Sequence, residues 1–146
     1  DLFDRPWTKE HIASKCGHKR PEFLRKDPLA HTWGGLVPVT ESINLTEFLS
    51  THTANQTRAG WYLHDWSLPR YCPEMFGPPP FAEFRFPRYF SGDYFQRMPF
   101  IGYQHSWPSL FVGANNTESA MHIDSGGTNF WMYLINGTKE WRFFDR

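Results

Sequence analysis

The sequence lacks an excess of charge of either sign and lacks a long apolar run. Its 146 residues carry 15 lysine and arginine side chains against 15 aspartate and glutamate side chains, so the formal net charge is zero. A balanced charge gives no electrostatic reason to expect a nucleic-acid or membrane-surface partner. The apolar runs are far shorter than the roughly 20 residues that a membrane-spanning helix needs. The length fits one domain.

Cysteine is also scarce, with only Cys16 and Cys72 in the chain. Two separate thiols are the simpler interpretation of such a pair. A disulfide is the alternative, and it requires an oxidising compartment. His11, Cys16 and His18 have no compact zinc-ligand spacing and lack a fourth ligand, so a surface helix is favoured there over a metal site.

Four Asn-x-Thr sequons bear on the compartment, because this tripeptide is the acceptor for N-linked glycans. About one sequon is expected by chance from the amounts of Asn, Ser and Thr. The excess favours the secretory pathway or endoplasmic reticulum over the cytoplasm or nucleus. Two sequons also have a structural explanation, since Asn44 with Glu47 suits a helix capping box and Asn136-Gly137 suits a hairpin turn. The sequons begin at Asn44, Asn55, Asn115 and Asn136.

The composition favours a loop-rich, mainly β fold, because aromatic residues make up 18% of the chain alongside 12 prolines and 11 glycines. Two short helices are expected first, one from Thr8 as N-cap to Gly17 and one within Ser42–Thr51, where Leu45, Phe48 and Leu49 have helical spacing. Strands should follow where aromatic and β-branched residues alternate with polar ones. The predicted strands are 60–66, 109–113 in a central position, 119–124, 128–135 and 138–144, with a further strand within 27–41. Residues 68–75 are predicted to form an irregular link, and His64 is assigned to packing or to the surface. Alternation in 138–144 places Lys139, Trp141 and Phe143 on one face, which is expected to point inward.

The most informative motif is His122-Ile123-Asp124. Residues at i and i+2 of a strand point to the same side, so the imidazole and the carboxylate can reach one point in space. These are two of the three ligands of the 2-His-1-carboxylate triad, which leaves open positions on Fe(II) for a co-substrate and O₂. An isolated His-x-Asp is common by chance. The neighbouring motifs therefore determine whether it indicates a metal site.

Those surroundings resemble the jumonji C (JmjC) domain, a cupin-type family of Fe(II)- and 2-oxoglutarate-dependent oxygenases. The resemblance implies a partial double-stranded β-helix, or jelly roll, with short N-terminal helices. It divides the chain into an N-terminal helical and loop extension, 1–57, and the N-terminal part of the β-helix domain, 58–146. The matching segments are Trp107–Gly113, His122-x-Asp124, Trp131, Gly137-x-Lys139-x-Trp141-x-Phe143 and, as in the hydroxylase-like branch, Trp61–Trp66 and Arg88–Asp93.

The family pattern implies roles for individual residues. His122 and Asp124 match iron ligands that are also catalytic. Lys139 matches the lysine that pairs with the distal carboxylate of 2-oxoglutarate, and Ser119 matches a hydroxyl that hydrogen-bonds it. Buried anions need such cations and donors. Where many members have an asparagine this chain has Met132, and the missing polar contact is expected from Thr128 or Asn129.

The resemblance implies a dioxygenase that uses Fe(II), 2-oxoglutarate and O₂ to hydroxylate a side chain of a protein or peptide substrate. The alternatives are N-methyl-lysine demethylation and a non-catalytic cupin-like binding module. The family's distal histidine lies several strands after the His-x-Asp, whereas the last histidine here is His122. The chain is therefore expected to be a fragment that is inactive without that third ligand.

Overall fold

The structure is a computed structural model that describes residues 6–31, 33–51, 58–76, 85, 87–94, 106–114 and 116–145. Within these ranges the chain forms three short helices and four strands. No helix there is both long enough and apolar enough to cross a bilayer. The helices are α1 (Lys9–Cys16), α2 (Leu45–Thr51) and α3 (Leu68–Tyr71), and the strands are β1 (Leu24–Lys26), β2 (Leu36–Pro38), β3 (Trp61–Ser67) and β4 (Ser109–Gly113).

The four strands form one antiparallel sheet in the order β2-β1-β3-β4. Leu24 of β1 lies opposite Pro38 of β2 on one side and opposite Tyr62 of β3 on the other. Strand β4 pairs only with β3 among the described strands, so it lies at an edge of the sheet. The sequence predicted Ser109–Gly113 as a strand, which is confirmed, but its expected central position is wrong.

The first helix follows its local sequence signals. The Thr8 hydroxyl accepts a hydrogen bond from the His11 amide at 3.2 Å, and the Gly17 amide donates to the Ala13 carbonyl at 2.8 Å. These bonds satisfy backbone groups that a helix end leaves without partners. Ile12 and Cys16, four residues apart, face the core. The prediction that Thr8 is the N-cap of α1 and that the helix ends at Gly17 is therefore confirmed.

The core lies between the helices and one face of the sheet. The Phe23 ring lies 4.3 Å from the Phe48 ring and 5.8 Å from the Trp61 ring, measured between centroids. Leu45, Phe48 and Leu49 of α2 are all buried, as their helical spacing predicted. Burial of such side chains is the main stabilising contribution in a domain of this size, at about 1.5–3 kcal/mol each.

Strand β3 contains a bulge that changes which side chains face the core. Leu63 lies opposite Val112 and Trp66 opposite Leu110, so His64 and Asp65 together oppose the single residue Phe111. Asp65 has φ 52, a left-handed conformation that Asp tolerates better than most residues. Simple alternation therefore breaks after Leu63, and Trp66 joins the core.

Arg58 connects α2 to the start of β3. Its Nη2 donates to Glu41 Oε1 at 2.7 Å and to Glu47 Oε1 at 2.8 Å. The guanidinium carbon lies 5.4 Å from the centre of the Trp61 ring, within cation–π range. The hydrogen bond that Arg58 donates to Glu41 is the main reason why the pKa of Arg58 is raised. Arg58 thus holds the loop before α2 and the helix itself against the sheet.

The two cysteines form a disulfide, with their Cα atoms 5.9 Å apart. Both side chains are completely buried. The interpretation as two separate thiols is therefore wrong, because the fold brings the last residue of α1 next to the residue that follows α3. Local sequence patterns do not predict this contact, since 56 positions separate the two residues.

The sheet is smaller than the predicted jelly roll, and the fold is a small mixed one. Within residues 116–145, all of which the structure describes, no strand forms, so the strands predicted at 119–124, 128–135 and 138–144 are absent there. Many apolar side chains of this segment are exposed, including Met121, Ile123 and Phe143. Conversely, β1 was not predicted, and the link predicted as irregular after Ser67 contains α3.

The disulfide should contribute strongly to stability. Closing a loop of 56 residues removes unfolded-state entropy worth about 4 kcal/mol in the chain-entropy model. Reduction with dithiothreitol is expected to lower the free energy of unfolding by about 2–4 kcal/mol, measured by urea denaturation. The double variant Cys16→Ser, Cys72→Ser should be equally destabilised and insensitive to the reductant. Equal stability before and after complete reduction would contradict this expectation.

Candidate functional site

His122 and Asp124 lie side by side in the segment that follows β4. His122 Nε2 is 3.4 Å from Asp124 Oδ1, and both side chains are about a quarter to a third exposed, at 26% and 31%. The other ring nitrogen, Nδ1, is 2.7 Å from the Ala120 carbonyl oxygen. The structure therefore brings the two predicted metal ligands together, although in an extended segment and not in a paired strand.

The hydrogen bond at Nδ1 determines whether Nε2 of the neutral ring carries a hydrogen or a lone pair. A carbonyl oxygen only accepts, so Nδ1 must carry the hydrogen and donate it. In the neutral ring, Nε2 then presents a lone pair toward an Asp124 oxygen that also presents lone pairs. Two such atoms at 3.4 Å attract only if a proton or a metal cation lies between them. Metal-binding histidines commonly have this second hydrogen bond to a carbonyl.

The separation of the two donor atoms fits a shared metal ion. Bonds of about 2.0–2.2 Å from one ion, at angles between octahedral and tetrahedral, place two donor atoms about 3.0–3.6 Å apart. The observed separation is 3.4 Å. Imidazole and carboxylate together are a donor set found on non-haem iron. The separation and the chemical types of the two donor atoms are thus compatible with a shared metal ion.

A second group of side chains lies on the outer face of β3 and β4. The Phe111 ring contacts the His64 ring edge-on at 5.2 Å between centroids, and Tyr62 contacts His64 at 5.1 Å. Lys139 Nζ lies 5.8 Å from the centre of the Phe111 ring and 4.7 Å from the centre of the Trp141 ring. Lys139 is thus held over two aromatic faces against the sheet.

Electrostatics connect this group with the His122–Asp124 pair. Burial is the main reason why the pKa of His64 is lowered, and the negative charge of Asp65 opposes that shift. Lys139 lowers the pKa of His64 further, as would His122 in its protonated form, because another positive charge opposes protonation of His64. Burial also lowers the pKa of Lys139. Among the described residues, no carboxylate lies within ion-pair distance of Lys139.

The other predicted 2-oxoglutarate contacts differ in exposure. Ser119 and Thr128 are half-buried, whereas Asn129 is exposed. Met132 is 39% exposed. Lys139 was expected to point inward together with Trp141 and Phe143, but Phe143 is 86% exposed, so that expectation is wrong for Phe143.

Sequence reasoning assigned His64 to packing or to the surface and so missed its place beside Lys139. A strand alternation that puts Trp61 and Leu63 in the core places Tyr62 and His64 on the opposite face, which was a usable signal. The pairing of β3 with β4 was the missing information. It brings Phe111 next to His64 and gives Lys139 an aromatic surface to cover.

One other group of potential metal ligands occurs among the described residues, formed by Cys16, Cys72 and Glu74. The disulfide already uses both sulfur atoms, and Glu74 lies 3.7 Å from Lys19 Nζ in an ion pair. This group is therefore explained without a metal. His11 and His18 are not members of this group.

No protein-family model, no curated protein and no solved structure matches this chain. The JmjC resemblance and the roles that it implies stay predictions.

The lowered pKa of His64 predicts a pH dependence of stability. The unfolded chain takes up a proton near the ordinary histidine pKa of about 6.5, while the folded chain resists it until a lower pH. The free energy of unfolding should therefore fall between pH 7.5 and pH 5.5, partly because of this residue. The loss should be smaller in His64→Gln, measured by urea denaturation with a chelator present.

His18→Gln is the matched control, because His18 is exposed. This variant should keep the wild-type difference between the two pH values. If His64→Gln shows the same difference as the wild type, protonation of His64 is not coupled to folding.

Proposed function

We propose that this chain carries two iron ligands and the co-substrate lysine of an Fe(II)- and 2-oxoglutarate-dependent oxygenase of the JmjC type. The proposal is supported above all by the pairing of His122 Nε2 with Asp124 Oδ1 at 3.4 Å, with Nδ1 committed to a carbonyl. The substrate class that the resemblance implies is a protein or peptide side chain.

Each residue has a separate role in this proposal. His122 and Asp124 hold the metal, and the Ala120 carbonyl keeps the imidazole in the tautomer whose Nε2 lone pair faces Asp124. Lys139 binds the distal carboxylate of 2-oxoglutarate, assisted by the hydroxyls of Ser119 and Thr128. When bound, the metal and co-substrate supply the O₂-dependent hydroxylation of a C–H bond, with 2-oxoglutarate converted to succinate and CO₂.

Lys139 suits an anionic ligand for a physical reason. Its ammonium group lies over the rings of Phe111 and Trp141 and is partly removed from water, which lowers its pKa. Aromatic faces stabilise a cation by only about 0.5–2 kcal/mol. A carboxylate in a charge-assisted hydrogen bond adds about 1.5–3 kcal/mol. An incoming dicarboxylate would therefore be the strongest partner of Lys139.

The described residues supply no third ligand within reach of both His122 and Asp124, since the ligand groups found there do not include this pair. We propose that the third ligand comes from outside the described residues, as the family pattern implies. The two ligands alone should bind Fe(II) weakly and reversibly.

A second candidate is a non-catalytic, cupin-like binding module. It is favoured by the absence of any strand within residues 116–145 and by the exposed apolar side chains of that segment, such as Phe130, Tyr133 and Phe144. Exposed apolar surface of this kind marks interaction sites in many proteins. The two candidates differ in whether the His122–Asp124 pair binds a metal.

Metal binding tests the first candidate directly. Fe(II) is titrated anaerobically into the chain and followed by calorimetry. His122→Ala and Asp124→Ala should each weaken binding by at least about 10–100-fold, because losing a ligand costs no less than losing an outer-shell partner. His18→Ala, at an exposed histidine, should bind like the wild type. Equal affinity for Fe(II) in His122→Ala and His18→Ala would contradict the first candidate and favour the non-catalytic binding module.

Binding of 2-oxoglutarate tests the role of Lys139. In the presence of Fe(II), Lys139→Met should weaken 2-oxoglutarate binding by about 10–100-fold, the equivalent of one charge-assisted hydrogen bond. Affinity for Fe(II) alone should not change. Lys9→Met is the control, since Lys9 is exposed on α1. An unchanged 2-oxoglutarate affinity in Lys139→Met would indicate a metal site without this co-substrate.

A further inference from the structure

Two of the four sequons lie wholly within the described residues, and they differ in exposure and in hydrogen bonding. Asn136, Gly137 and Thr138 are all exposed, and the chain bends at Asn136-Gly137. Gly137 has φ +91, a left-handed conformation that favours glycine. N-linked glycans are carried on surface loops of secreted proteins. This turn presents its asparagine to solvent as such a loop does.

The sequon at Asn44 is built into the start of α2. The Asn44 Oδ1 accepts a hydrogen bond from the Glu47 amide at 2.8 Å, which makes Asn44 the N-cap of the helix. The next residue, Leu45, is completely buried. The Thr46 amide donates to the Gly17 carbonyl at 3.0 Å, and the Thr46 hydroxyl packs against Gly17. A glycan on the half-buried Asn44 would disturb the contact between α1 and α2.

The disulfide is an independent sign of the same compartment. Disulfides form and persist in oxidising compartments and are rare in the cytosol and nucleus. The Cys16–Cys72 bond is completely buried and connects α1 to the residue after α3, so it belongs to the folded core. In a eukaryotic cell, the endoplasmic reticulum is the oxidising compartment in which both such bonds and N-linked glycans are added.

We infer that Asn136 is an N-glycosylation site, that Asn44 is not, and that the protein matures in the secretory pathway. In the reaction, the Asn136 side-chain amide nitrogen forms a bond to the first sugar carbon of a lipid diphosphate-linked oligosaccharide. The bond from that carbon to the lipid diphosphate breaks, the diphosphate leaves with its electron pair, and the amide loses a proton. The glycan then covers Leu134 and Ile135, which are 50% and 39% exposed.

The test uses the full-length natural protein expressed from its own coding sequence in eukaryotic cells. Asn55→Gln and Asn115→Gln are introduced together, and the asparagine of every sequon outside residues 1–146 is changed to Gln, so that only the sequons at Asn44 and Asn136 remain. Treatment with peptide N-glycosidase should increase the gel mobility of this protein by one glycan. Mass spectrometry should find the released asparagine, converted to aspartate, at position 136.

Matched variants separate the two sequons. Asn136→Gln and Thr138→Ala should each abolish the mobility shift, whereas Thr138→Ser should retain it, because serine also completes a sequon. Asn44→Gln should leave the shift unchanged. The inference is overturned if the glycosidase has no effect, if Asn136→Gln keeps the shift, or if aspartate appears at position 44. These outcomes do not depend on metal or 2-oxoglutarate binding.

Discussion

The structure depends most on the bulge in β3, because this one irregularity serves both the core and the candidate site. Trp61 and Leu63 face the helices by ordinary alternation, and the extra residue at His64–Asp65 turns Trp66 to the same side. Bulges bend a strand and redirect side chains, and they are over-represented next to active sites. Here the bulge leaves His64 on the outer face, opposite Phe111, where Lys139 and His122 influence it.

Much of the local structure follows from short-range signals in the sequence. Thr8 and Gly17 delimit α1, the spacing of Leu45, Phe48 and Leu49 produces α2, and the aromatic run after Gly60 becomes β3. These elements are determined by neighbours within about four positions. The His122–Asp124 contact was predictable for the same reason, since the two residues are separated by one position and share a side in any extended conformation.

Contacts between distant segments were not predictable from these signals. The disulfide joins residues 56 positions apart, and Lys26 of β1 forms an ion pair with Glu118 beyond β4. Strand β1 has three residues, two of them charged, and exists because β2 and β3 pair with it on both sides. The segments predicted as further strands have no such partners among the described residues. Strand propensity is realised only when a neighbouring strand satisfies the backbone.

The charges of the site give a reason to consider the metal and the co-substrate together. With His122 neutral, Asp124 contributes one negative charge and Lys139 one positive charge, so these three side chains together carry no net charge. Fe(II) alone would add two positive charges near a partly buried lysine, which is unfavourable in a region of reduced dielectric. A dianion such as 2-oxoglutarate would restore neutrality. The proposed ligands should therefore bind cooperatively, each reducing the electrostatic cost of the other.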